Sequence, residues 1–363
     1  MSKINTRSPY FINLTDTNID SCVLDLYIHT GTQASTIVSK TYSIESDAYN
    51  GLVQFEISKL VGDYLEVNFN GANESQVVWV NYQTTKTISG VVQTADAVVQ
   101  LIGFDGYGYF EDGANPQLSD RVLQSNSKIV TLNANSWYVP IQQDELSKID
   151  LKNNGSIIET QAFTSTTDST DVIRYVGYTA NNYIFEDTND YLFEDFNVFI
   201  FSDGDADEIL ITYSDASTES ITIETIDECK YTPYRLTFVN KFGALQSVWM
   251  FKRSDVSMSV ESEDYRSFLY SSGSYDTSNH QYRNFNTMGR ESISLNSGFY
   301  PESYNEVFRQ LHLSEKVWIY YDSKILPVNI KSKELAFKTQ VNEKLIDYKF
   351  EFEFAFDKIN SVY

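Results

Sequence analysis

What most constrains the fold of this 363-residue chain is a repeat of two. Successive side chains of a β-strand point to opposite faces, so apolar residues at every second position mark a strand with one buried face. YKFEFEFAF is the strongest case. Tyr348, Phe350, Phe352, Phe354 and Phe356 share one face, and Lys349, Glu351, Glu353 and Ala355 share the other. Five rings left open would form a large apolar patch, so the alternation predicts a core-facing strand. The same period runs through CVLDLYIH, where Cys22, Leu24, Leu26 and Ile28 share a face, and through VQFEIS, where Val53, Phe55 and Ile57 do. QVVWVNY is apolar on both faces apart from Asn81 and reads as a central strand.

Helical periodicity is rare. KLVGDYL suits a single turn. GFYPESYNEVFRQLHLS is the clearest helix, with Pro301 at its first position, Glu302 complementing its positive end, and Tyr304, Val307, Phe308 and Leu311 as its apolar stripe. The fold class is therefore mainly β: tandem β-sandwich domains and a C-terminal β-module with one packed helix. The predicted domains are an N-terminal β-sandwich at 1–95, an acidic middle β domain at 96–228, and the C-terminal module at 229–363 with its helix at 301–313.

Within that last module, YRLTFVNKFGALQSVWMFK reads as a hairpin turning at NKFG, where Gly243 is free to take a positive φ. KVWIYY and KILPVNIK flank a second turn, DSK, and ELAFKTQV is a further strand. Residues 254–289 are polar and too long for a structureless loop, which leaves an extended hairpin arm or an interaction loop. The rings of YKFEFEFAF are expected to pack on Tyr304, Phe308 and Leu311, or on a facing sheet.

Charge is unevenly spread. The net charge is −23, and residues 175–228 hold 14 acidic side chains with no Lys or Arg. Such a segment repels phosphate, which argues against nucleic-acid binding as the main task. Within it YIFEDTND and YLFEDFNV form a short repeat, echoed earlier by YFED at 109–112. Apolar runs are too short to span a membrane, and no secretory signal is expected. Cys22 and Cys229 form no metal pattern and read as two buried free thiols of a protein made in a reducing cytoplasm.

Enzyme motifs are missing. His29, His280 and His312 stand beside no nucleophile pattern, and the G-x-G of FDGYGYF precedes no helix. Asp203, Asp205 and Asp207 have the alternating spacing of calcium loops, but Glu208 and Ser214 occupy the positions where such a loop needs Gly and Glu. They read as a solvated acidic turn, with a melting temperature unmoved by calcium as the check. No cofactor is expected. The 50 acidic residues single out no pair for glycoside cleavage.

NTRSPYFI, YFEDGANPQ, YRLTFVNKFGALQSVWMFK and the closing SEKVWIYYDSKILPVNIK…YKFEFEFAF together resemble virion proteins of tailed bacteriophages. The similarity is to tail, baseplate and neck ring proteins of phages that infect Bacteroidetes, including crAss-like phages. It implies a non-enzymatic structural protein of the tail or neck, assembled in the host cytoplasm. Its partners would be further copies of itself in a ring and other virion proteins such as tube or fibre, without sequence-specific nucleic acid or membrane insertion. It also implies a tail-tube-like C-terminal module. The alternative is a carbohydrate-binding or depolymerising phage protein that uses exposed aromatics and an Asp/Glu pair.

Overall fold

A computed structural model describes residues 2–32, 40–70, 73–75, 77–132, 137–143, 146–164, 172–178, 198–201, 205–270, 273–334 and 345–359. The protein is mainly β, built of several sheets; among the described residues the one multi-turn helix is Asn305–Leu313. It divides into two compact units. The first comprises Met1–Asp227, Thr237–Val248 and Ser303–Ser314; the second comprises Glu228–Leu236, Trp249–Glu302 and Glu315–Tyr363.

In the first unit, a six-stranded sheet runs in the order Ser2–Asn5, Val99–Phe104, Val78–Ile88, Ile19–His29, Lys40–Asp47, with Val91–Val92 paired to Val78–Ile88. Val78–Ile88 is central, as its two apolar faces require. Cys22, Leu24, Leu26 and Ile28 are fully buried, and they meet Val53, Phe55 and Ile57 in one core. The short helix Ser58–Gly62 adds Val61 to that core.

Later strands of the same unit form a five-stranded sheet (Lys128–Leu132, Thr218–Ile226, Glu208–Tyr213, Leu146–Asn153, Ser156–Ala162) and a three-stranded one (Trp137–Gln142, Ile173–Tyr178, Val198–Phe201). Their inner faces share one core, in which Val139, Ile141 and Val176 meet Ile149, Leu151, Ile209 and Ile211. That is sandwich packing.

Ser303–Ser314, which holds helix Asn305–Leu313, falls in the first unit. The same division runs across the predicted 229–363 boundary and joins segments 1–95 and 96–228. Hydrogen bonds explain the helix's position. Tyr304 Oη donates to Lys128 O and accepts from Val130 N, both at 2.8 Å, bonding the start of the helix to an edge strand. Gln310 Nε2 donates to Ser125 Oγ, and its Oε1 accepts from Lys241 N at 3.3 Å. A long polar side chain committed to backbone fixes a helix more specifically than its apolar stripe does.

Five strands lie wholly in the second unit and run Val317–Tyr321, Lys324–Ile330, Lys349–Phe354, Tyr282–Asn296, Asp255–Arg266 within a seven-stranded sheet. Asp322 and Ser323 join the first two with φ of 50° and 59°, the left-handed pair that a two-residue hairpin turn demands. The Tyr234–Val239 and Leu245–Met250 hairpin turns where expected, with Gly243 at φ 76°. A Cβ there would sit 2.7 Å from the Asp105 backbone, so glycine is required twice over.

Candidate interaction surfaces

Strand Lys349–Phe354 buries its aromatic face. Phe350 pairs with Leu295, Phe352 with Ile293 and Phe354 with Val328, and all six are buried. Tyr348, just before the strand, is buried too. Phe356 departs from the five-ring expectation: it is 39% exposed, because the strand ends at Phe354 and the chain bends away. Tyr304, Phe308 and Leu311 are buried as well, in the first unit.

The opposite face of that strand carries ion pairs. Glu351 meets Lys331 at 3.0 Å, and Glu353 meets Arg290 at 3.4 Å. These exposed pairs contribute little stability each. They keep the outer face soluble, and they occupy the carboxylates that a sugar-cleaving pair would need free.

The arm is an extended hairpin. Asp255–Arg266 pairs with Tyr282–Asn296, while Lys349–Phe354 pairs only with Asn296 back to Ser292. From Val260 to Arg266 the two strands therefore run on without a third, for a length on the order of 20 Å. Every residue of Asp255–Arg266 is exposed. Val256, Met258 and Val260 lie on one face at 49%, 55% and 54% exposure. Beyond them Tyr265 packs edge-on against Phe285 with ring centres 5.8 Å apart, and Phe268 does the same with Tyr270 at 6.3 Å. A solvated ribbon with three aligned apolar side chains and paired rings exceeds the scattered exposure of an ordinary surface.

A second surface builds on the glycine-rich loop. Tyr107 N donates to Lys241 O at 2.8 Å, and the Arg7 guanidinium lies 5.0 Å from the Tyr107 ring centre. Gly106 and Gly108 have no room for a Cβ, which would meet Lys241 O at 2.8 Å and Pro116 at 2.5 Å. That close packing sets Tyr107 and Tyr109 edge to face, 5.9 Å apart. Tyr109 Oη donates to Glu306 Oε1 at 2.6 Å; Gln310 Nε2 donates to the same oxygen at 2.9 Å, and Arg309 pairs with Glu306 at 3.1 Å. The cations of Arg309 and Lys241 lie 5.6 and 5.9 Å from the Tyr109 ring centre. Burial, then the bond to Glu306, holds the Tyr109 phenol well above its usual range. In the sequence, this segment stands out only for a G-x-G that precedes no helix. Its one signal was tyrosine alternating with glycine in FDGYGYF, which brings rings close to backbone.

The remaining candidates disperse. Asp203 lies outside the described residues, as do both longer Phe-Glu-Asp repeats and most of ELAFKTQV. Asp207 Oδ2 accepts from Asn154 N at 2.9 Å and Asp205 O accepts from Asn153 Nδ2 at 2.6 Å, so both serve a neighbouring turn. Among the described residues no cluster of three or more His, Cys, Asp or Glu could hold a metal ion. His29 is buried at a strand end, His280 is exposed, and His312 lies in the last helical turn. Cys22 is buried, but Cys229 is exposed, correcting the expectation of two buried thiols: it sits between Glu228 and Lys230 in a segment without regular structure. No helix among the described residues is long and apolar enough to cross a membrane.

No protein-family model matches the sequence. No curated protein matches it either. Among solved structures it is similar to fibronectin(III)-like modules of CbhA from Clostridium thermocellum at 8% identity, over 62% of this chain and 90% of that one, with a TM-score of 0.17.

Proposed function

We propose that the protein is a non-enzymatic structural component of a tailed phage particle, joining a ring in the tail, baseplate or neck through β-domain contacts. The phage assignment draws on the resemblance of its sequence segments. The observation that carries the assembly reading is the hairpin arm of Asp255–Arg266 and Tyr282–Asn296, a two-stranded ribbon exposed along its outer strand with an apolar row and paired aromatic rings.

Rings form by repeating one heterologous contact until the rotation closes, and a projecting arm supplies such a contact at little cost to the domain that bears it. Its edge strand is guarded against indiscriminate pairing by Asp255, Glu261, Glu263 and Asp264. The partners are other copies and neighbouring virion proteins. The test is a mass-spectrometric inventory of purified particles. The chain is expected there in multiple copies, and its absence from intact particles overturns the reading.

A further inference from the structure

We propose that the exposed edge at Val91–Gln100 receives the hairpin arm of a second copy, so that strand Asp255–Arg266 of one molecule extends the N-terminal sheet of the next. This contact rests on the assembly role given to the arm and adds the surface on which the arm lands.

The edge is defined by its pairing. Among the described residues Val91–Val92 pairs with Val78–Ile88 and with no other strand. The chain then stays beside that strand: Gln93 N donates to Lys86 O and Asp96 N to Thr84 O, both at 2.8 Å, and Val99 and Gln100 pair with Tyr82 and Asn81. Ser2–Asn5 covers the far side only from Leu101 onward. The outer edge of Val91–Gln100 therefore has no neighbouring strand among the described residues. Every residue of it is exposed, with Val91, Val92, Val98 and Val99 at 61%, 68%, 54% and 39%. Its one charged side chain, Asp96, is engaged by Lys86 at 3.3 Å and by Thr84 Oγ1 at 2.6 Å. Sheet edges are ordinarily protected by free charge, proline or a covering element, and an exposed apolar edge without them is a template for another strand.

Charge selects the occupant. The arm's outer strand carries Asp255, Glu261, Glu263 and Asp264 against Arg266 alone. Two arms laid edge to edge would set carboxylates against carboxylates, which is destabilising. Outside the arm, the other large exposed apolar side chains among the described residues stand singly or beside a carboxylate: Phe110 precedes Glu111 and Asp112, Ile157 and Ile158 precede Glu159, and Phe356 precedes Asp357. Only the valine edge combines an apolar row with an open backbone ladder and no free acid. Strand addition supplies main-chain hydrogen bonds, while Val256, Met258 and Val260 supply the apolar contact that the valines lack. Two valine edges paired with each other would leave the arm's row in water, whereas arm on edge covers both. The two patches differ, so the contact is heterologous and repeats from copy to copy, as a ring requires.

The experiment is a complementation in sedimentation velocity with two full-length variants. One is Val92→Glu with Val98→Glu, which keeps the arm and loses the edge. The other is Val256→Ser, Met258→Ser and Val260→Ser, which keeps the edge and loses the arm. All five side chains are about half exposed or more, so both proteins should melt like the wild type. If the glutamate variant melts lower, Val92→Ser with Val98→Ser takes its place. Each variant alone should lose every species above 41.6 kDa. Their equimolar mixture has one live contact left, so it should form a dimer of twice 41.6 kDa and stop there, while the wild type goes on to larger species. A folded edge variant that assembles like the wild type overturns this contact and leaves the arm's role intact. So does a mixture that stays monomeric while the wild type assembles. An arm variant that dimerises alone shows the valine edge pairing with itself and overturns the contact as well. A wild type that stays monomeric at every concentration overturns both this contact and the arm's role between copies.

Discussion

Two strands of one sheet, Lys349–Phe354 and Asp255–Arg266, have similar patterns and opposite fates. Each alternates apolar with polar residues. In the first, Phe350, Phe352 and Phe354 are buried beside Leu295, Ile293 and Val328 of the flanking strands, which are buried too. In the second, Val256, Met258 and Val260 point at water. Alternation decides which residues share a face; it does not decide what covers that face. The difference lies in position. Lys349–Phe354 has neighbours on both edges, whereas Asp255–Arg266 ends the sheet and outruns it. Composition adds a hint, since the covered strand uses phenylalanine and the open one uses valine, methionine and serine.

Truncating each strand in turn should separate the two. Phe352→Ala should cost about 3–5 kcal/mol in denaturant unfolding, as a core truncation that leaves a cavity. If it leaves stability intact, the strand is an interface and the contrast fails. Val260→Ala should cost well under about 1 kcal/mol, because no folded-state contact covers it.

A buried polar residue probes burial from the other side. Asp150 is nearly inaccessible; burial raises its carboxyl, but the bonds from Lys148 and Thr160, both at 2.7 Å, outweigh this and hold it below the usual range. A depressed carboxyl contributes stability above its unfolded pKa, and that contribution is lost as pH falls through the folded one. Thermal scans should therefore show the wild type losing its advantage over Asp150→Asn below about pH 4, with a difference on the order of 1–3 kcal/mol at neutral pH. A difference that stays constant down to about pH 2 would refute the role. The smallest effect is expected at Glu351→Ala, about 0.5 kcal/mol or less and shrinking further in salt, since its pair with Lys331 is exposed.

Much of the fold was legible from local signals. The turn at Asp322–Ser323, the glycine at 243, the central strand Val78–Ile88 and the helix Asn305–Leu313 each rest on chemistry within a few residues. What the sequence concealed was long-range. Helix Asn305–Leu313 was read into a C-terminal module because its neighbours in the chain lie there, yet Tyr304 and Gln310 bond it to residues near 125–130. Side-chain hydrogen bonds leave no periodicity to detect. The Tyr107 cluster escaped for the same reason, since Arg7, Lys241, Glu306 and Arg309 converge from three distant segments. Phe356 was miscounted because alternation outlasts the strand by two residues.

The central claim is that the arm carries contacts between copies while the ring-lined strand only holds the fold. Sedimentation velocity across a concentration series tests this directly, comparing the full chain with a variant in which Val256, Met258 and Val260 are all serine. The wild type should move from 41.6 kDa toward larger species as concentration rises, whereas the variant should stay at the monomer mass with an unchanged melting temperature. Identical mass distributions for the two proteins, or a variant that melts several degrees lower, would contradict it.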